Sequence, residues 1–162
     1  MTPDIKIVWK HPDGSISVTT PVEPMEKDES ESVYLDRIAA KVKASDPSLT
    51  LAVRISYIPG TAHRNADRYF RKAWTWETPD PVIDIDMEKA REVHRNQIRL
   101  IRKPKLDDLD VAYQRADEAG DTALKQIIAT QKQALRDSPA DPAIASAKTP
   151  EELKTILPQV LK

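Results

Sequence analysis

Hydrophobic positions alternate at the start of the chain and recur every three or four residues towards its end. Ile5, Ile7 and Trp9 interleave with Lys6, Val8 and Lys10, the period-2 pattern of a half-buried strand. His11-Pro12-Asp13-Gly14 follows, where proline presets φ, Asp bonds the backbone ahead and Gly accepts a positive φ. Ser15-Ile16-Ser17-Val18-Thr19 alternates again, which predicts a β-hairpin. The acidic, proline-bearing stretch Pro21 to Ser30 reads as a connector. From about Ser32, Leu35, Ile38 and Val42 recur at helical spacing beside Tyr34 and Ala39, and Ser45-Asp46-Pro47 stops the helix. Leu51, Val53, Ile55 and Tyr57 then alternate with Ala52, Arg54 and Ser56 as far as Pro59-Gly60. The first 60 residues therefore predict a ββαβ unit, a three-strand sheet with one helix packed on it.

Residues 61–85, bounded by Pro59-Gly60 and holding Pro79 and Pro81, read as an extended strap or linker. It contains Tyr69-Phe70-Arg71-Lys72-Ala73-Trp74-Thr75-Trp76, in a chain with three Trp and one Phe. A short turn is expected to end near Ala73 and give way to extended chain as far as Pro79. Trp74 is expected to be buried and Trp76 more exposed. Residues 86–138 predict three helices. Met87, Ala90, His94, Ile98 and Ile101 mark the first, with Asp84 or Asp86 as N-cap and Pro104 as its end. Leu106, Leu109, Tyr113 and Ala116 mark the second, closed by Gly120. Asp121 caps the third, which carries Leu124, Ile127, Ile128 and Leu135 and ends near Pro139. In the tail, 139–162, Thr149-Pro150-Glu151-Glu152 forms a capping box ahead of a short helix. The predicted class is α+β: a small N-terminal three-strand ββαβ unit, an aromatic strap, then a helical region of three main helices plus a short terminal one.

Composition narrows the chemistry. The chain has 162 residues, no cysteine and a formal net charge of −1. Disulfides and thiolate metal sites are thereby excluded. No window approaches the run of roughly 18 apolar residues that spans a bilayer, and Met1-Thr-Pro-Asp-Ile-Lys lacks the apolar run of a signal peptide. A soluble chain with no membrane role is expected. Charge is uneven: residues 61–105 hold eleven Lys/Arg against seven Asp/Glu, a local +4 between two acidic flanks.

The histidines His11, His63 and His94 have no second histidine at i+3 or i+4, so no metal site is expected. Asp84, Asp86 and Glu88, and likewise Asp107, Asp108 and Asp110, sit at predicted helix starts, where acidic residues complement the macrodipole. With three glycines no phosphate-cradling loop is available, and no nucleophile motif occurs. No cofactor and no enzymatic activity are expected. Arg91, Arg95, Arg99 and Arg102 line one helix edge. Glu88, Glu92 and the acidic residues of 107–117 could pair with them internally; a protein partner or nucleic-acid phosphates are the other uses of such a stripe.

Phe70-Arg71-Lys72-Ala73-Trp74, Asp86-Met87-Glu88-Lys89-Ala90-Arg91, Ile98-Arg99 and Arg102-Lys103-Pro104 resemble small proteins encoded in tailed-bacteriophage and prophage structural regions. The likeness continues through Leu109-Asp110, Glu118-Ala119-Gly120-Asp121 and Lys132-Gln133-Ala134-Leu135-Arg136-Asp137, and covers roughly residues 68–138. It implies a tail assembly chaperone or minor virion component, acting in the host cytoplasm or carried into the virion, with a phage tail or tail-fibre protein as partner. The residues expected to contact that partner are Phe70, Arg71, Trp74 and Trp76 in the strap and Arg91, Arg95 and Arg99 on the helix, since aromatics and arginine concentrate interface energy. Alternative readings are a phage-encoded inhibitor of a host protein and a nucleic-acid-binding accessory factor.

Overall fold

The computed structural model describes residues 5–56, 67–76 and 83–162, with side chains from 7–50, 67–76 and 83–162. The protein is α+β, with sheet structure towards the N-terminus and helices towards the C-terminus. It divides into two compact units, Met1–Asp86 and Met87–Lys162. The described strap residues thus belong with the sheet, and the tail belongs with the helices.

In the first unit β1 (Ile5–Lys10) pairs antiparallel with β2 (Ile16–Thr19) and with β3 (Thr50–Ser56), giving the order β2-β1-β3. The β1–β2 turn closes as its residues require: His11 N donates to Ser15 O, Gly14 takes φ +77°, and Asp13 Oδ1 accepts from Ser15 N. Helix α1 (Glu31–Ser45) starts at the Ser30 cap and stops at Asp46, one residue before Pro47. The predicted continuation of the third strand through Tyr57 to Gly60 lies outside the described residues.

Period-2 alternation puts Ile7 and Trp9 on one sheet face, where they pack with Tyr34, Leu35 and Ile38 of α1 and with Leu49. Val8 was expected among the outward positions. Instead it is fully buried on the other face with Ile16, Trp74, Trp76 and Ile83. The sheet is covered on both faces because the strap folds over the side that α1 leaves open.

That strap is a 3-10 segment, Arg68–Ala73, followed by β4 (Trp74–Thr75), which pairs with β5 (Asp84–Ile85). The expected turn ending at Ala73 is present, and Trp74 is buried as expected. Trp76, expected to be exposed, is only 3% exposed. Residues at i and i+2 of an extended chain share a face, so whatever buries Trp74 also covers Trp76.

The connector before α1 is tied down firmly. Tyr34 Oη donates to Glu23 O at 2.6 Å, and the Arg37 guanidinium bonds Glu23, Glu29 and the Pro24 carbonyl. The Arg37 bond holds the Glu29 carboxyl well below the usual range, down to about 2.

The second unit opens with α2, an unbroken helix of 32 residues from Met87 to Glu118. The expected break at Pro104 does not occur. Proline removes one bond, to the carbonyl of Leu100, and both residues lie on the solvent side, where water satisfies the freed group. The break at Gly120 does occur, at φ +69°. Helix α3 (Thr122–Asp137), capped by Asp121, runs back antiparallel to α2. A 3-10 turn (Ser138–Ala140), α4 (Pro142–Ser146), α5 (Pro150–Thr155) and a last 3-10 turn (Gln159–Leu161) make up the tail. Thr149 caps α5 by accepting from Glu152 N, as its capping box predicts. Ile144, Ala147, Leu153, Pro158 and Leu161 of the tail are buried.

Candidate protein-binding surfaces

Phe70, Trp74 and Trp76 were expected to contact a partner. All three are buried in the first unit, Trp74 and Trp76 in the cluster behind β1, so they offer a partner no area. Trp74 Nε1 donates to Asp67 O at 3.2 Å. Of the strap candidates, only Arg71 presents its side chain to solvent.

The helix candidates divide by reach. Arg91 donates to Ala147 O at 2.9 Å, which ties α2 to the tail. Arg95 is half-buried and lies 3.6 Å from Glu92. Arg99 is exposed and bonds both Glu92, at 2.7 Å, and Asn96. Arg102 donates to the carbonyls of Leu135 and Arg136, closing the C-terminus of α3.

These arginines belong to a longer row of donors. His94 shares a 2.9 Å bond with Ile156 O, and Lys105 donates to Leu161 O at 3.1 Å. The tail needs such donors because its helices have only five and six residues. Segments that short leave most of their terminal carbonyls without an intrahelical partner. Burial pushes the His94 imidazole below its ordinary pKa, and its bond to the Ile156 carbonyl opposes that only in part. Among the described residues, no three His, Asp or Glu side chains converge as a metal site, and no helix is long and apolar enough to cross a membrane.

The α2–α3 hairpin has two unlike seams. Along one, Lys125 pairs with Asp117 and Lys132 with Asp110, and both ammonium groups lie over the Tyr113 ring at 5.5 and 5.1 Å. Along the other runs an open groove of about 350 Å³ lined by Lys105, Asp108, Leu109, Gln131, Leu135 and Val160. Leu124 and Ile127 continue that face of α3 and are 42% and 55% exposed. Both were expected as core residues of the third predicted helix, as Ile101 was of the first. All three stay exposed because one two-helix hairpin and a short tail cannot cover every apolar position.

A third apolar feature follows the outer face of α2. Val93, Leu100, Pro104 and Val111 fall at steps of seven, four and seven, which stacks them on one face to the side of the buried stripe Ala90, His94 and Ile98. Leu100 is 64% and Val111 48% exposed. The spacing of this ridge is legible in the sequence, whereas Leu124 and Ile127 of the groove face fall among the positions that helical spacing assigned to the core. No protein-family model matches the chain, and no curated protein or solved structure resembles it significantly.

Proposed function

We propose that this chain is a non-enzymatic tailed-phage protein that binds other phage proteins, as a tail assembly chaperone or a minor virion component, in the host cytoplasm. The observation that carries the reading is the outer ridge of α2. Leu100 and Val111 stand exposed with Pro104 between them, beside the exposed Arg99 and Lys103. An apolar ridge with basic neighbours suits a helical or extended protein segment with an acidic rim. Arg99 is the sequence-selected residue of this unit that remains in reach of such a partner, with Arg95 half-buried, while Arg71 is exposed on the first unit. The likeness of residues 68–138 to phage structural-region proteins supplies the class of partner.

Support against a phosphate-binding stripe comes from the bonds already described. Arg91 and Arg102 are spent on backbone carbonyls and Arg99 on Glu92. Affinity purification of the full chain from infected cells, with mass spectrometry of purified virions, tests the reading. Tail proteins should co-purify with the wild type and be lost from Leu100→Glu, with helicity unchanged. Failure of any tail protein to co-purify, or its retention by Leu100→Glu, would overturn it.

A further inference from the structure

We propose that the open seam of the α2–α3 hairpin binds an extended apolar segment of another protein, built like the end of the chain's own tail and docked directly beyond it. The site uses neither Leu100 nor Val111, so this inference stands apart from the preceding one.

The end of the tail leads into that seam. His94 bonds the Ile156 carbonyl and Lys105 the Leu161 carbonyl. The two acceptors are five residues apart and their donors eleven, about 16 Å of helix at 1.5 Å rise per residue. This stretch of tail therefore runs along α2 towards the C-terminus of that helix. Its last turn, Gln159–Leu161, also lies against α3, so it sits between the two helices. Pro158 and Leu161 are buried, three residues apart. The filled part of the track thus combines buried aliphatic side chains with side-chain donors to backbone carbonyls.

The open part repeats both features. Where the tail ends, Val160 joins Leu109 and Leu135 in lining the groove of about 350 Å³. Beyond it, Asp108, Ala112 and Arg115 fall at steps of four and three along α2, and Leu124, Ile127 and Gln131 at steps of three and four along α3. Each set therefore shares a face. The ion pairs Asp110–Lys132 and Asp117–Lys125 close the opposite seam and level Ile127 with Arg115. Arg115 and Gln131 have no hydrogen-bond or ion-pair partner among the described residues, so two donors stand beside apolar surface without an acceptor. A docked helix would pair its carbonyls internally and offer these donors nothing. An extended segment brings its carbonyls unpaired, as the tail does for His94 and Lys105. From Asp108 to Arg115 is about 10 Å, which about three extended residues span. One apolar side chain then enters the groove, and a second, three residues on, covers Ile127. That is the spacing of Pro158 and Leu161 in the tail. Asp108, also without an ion-pair partner among the described residues, favours a basic residue at the rim.

The test uses a labelled synthetic peptide, Ile-Leu-Pro-Gln-Val-Leu-Lys, which copies residues 156–162, titrated with the full chain and followed by fluorescence anisotropy. Binding should saturate with a dissociation constant below about 1 mM. Ile127→Glu should weaken it by about tenfold or more, and Arg115→Ala by about threefold or more, with ellipticity at 222 nm unchanged in both. Amide shifts of the isotope-labelled chain should cluster at residues 108–115 and 124–131. Absence of saturable binding overturns the proposal, as does binding that Ile127→Glu leaves untouched. Amide shifts centred on residues 91–98 would overturn it too, since the peptide would then be displacing the tail. So would a wild-type dimer in sedimentation equilibrium that Ile127→Glu dissolves, because the seam would then belong to a second copy.

Discussion

In the first unit an irregular segment, the strap, lies on the sheet through buried aromatic area, whereas in the second an irregular segment, the tail, combines buried aliphatic residues with polar donors from α2. Among the described residues the strap pairs Trp74 and Thr75 with Ile85 and Asp84 in the β4–β5 ladder, and what it offers the sheet is Trp74, Trp76 and Ile83. The tail has helices too short to satisfy their own ends, so α2 must supply donors to its carbonyls from Arg91, His94 and Lys105. Leu153 and Ile144 then bury aliphatic area alongside. The lesson is that both segments dock by buried area, and the one whose short helices leave carbonyls unpaired needs side-chain donors as well.

The two units also report separately in solution. All three tryptophans, Trp9, Trp74 and Trp76, lie in the first unit, while the long helices that dominate ellipticity lie in the second. Trp76→Ala gives the largest expected effect. It should cost about 3–5 kcal/mol, the range for emptying a buried aromatic site, and lower the denaturation midpoint followed by tryptophan emission. A cost below about 1 kcal/mol would mean that the strap is a loose cover. Leu153→Ala should cost about 2–4 kcal/mol in the second unit. Denaturation followed at 222 nm would record it, and limited proteolysis should then cut within residues 139–162. Resistance of the tail to proteolysis in that variant would show that the polar row alone suffices.

Pro104→Ala tests the unbroken helix. Restoring one backbone bond and relieving the ring's clash should stabilise the second unit by about 1–3 kcal/mol, read as a higher urea midpoint at 222 nm. No gain would place a compensating contact on the proline. The smallest effect concerns His94, whose folded pKa is depressed by burial below its ordinary 6.5. Between those two values the unfolded chain binds a proton that the folded chain does not. Stability from this residue is therefore complete above pH 6.5 and declines as pH falls below it. The urea midpoint at 222 nm should drop between about pH 7 and about pH 5, above the range where carboxylates titrate. His94→Gln should flatten that drop.

Local chemistry made much of this chain legible. The Asp13-Gly14 turn, the Ser30 and Asp121 caps, the Thr149 capping box and the Gly120 break all depend on neighbouring backbone and side-chain atoms. Each lies where its residues require. Alternation likewise determined which residues of β1 share a face, and helical spacing picked out the stripe Ala90, His94 and Ile98. Which apolar faces would be covered depended on the tertiary structure. Val8 and Trp76 are buried because the strap folds over the second sheet face, and Leu124, Ile127 and Leu100 are exposed because nothing in the second unit reaches them. Pro104 continues its helix because its missing bond faces water, which periodicity cannot register. The arginine row carries the same division: its spacing put Arg91, Arg95, Arg99 and Arg102 on one edge, but only the folded tail and the end of α3 gave Arg91 and Arg102 carbonyls as acceptors. Spacing along a chain sets which side chains point together, whereas what they meet is set by segments distant in sequence, whose arrival no local pattern encodes.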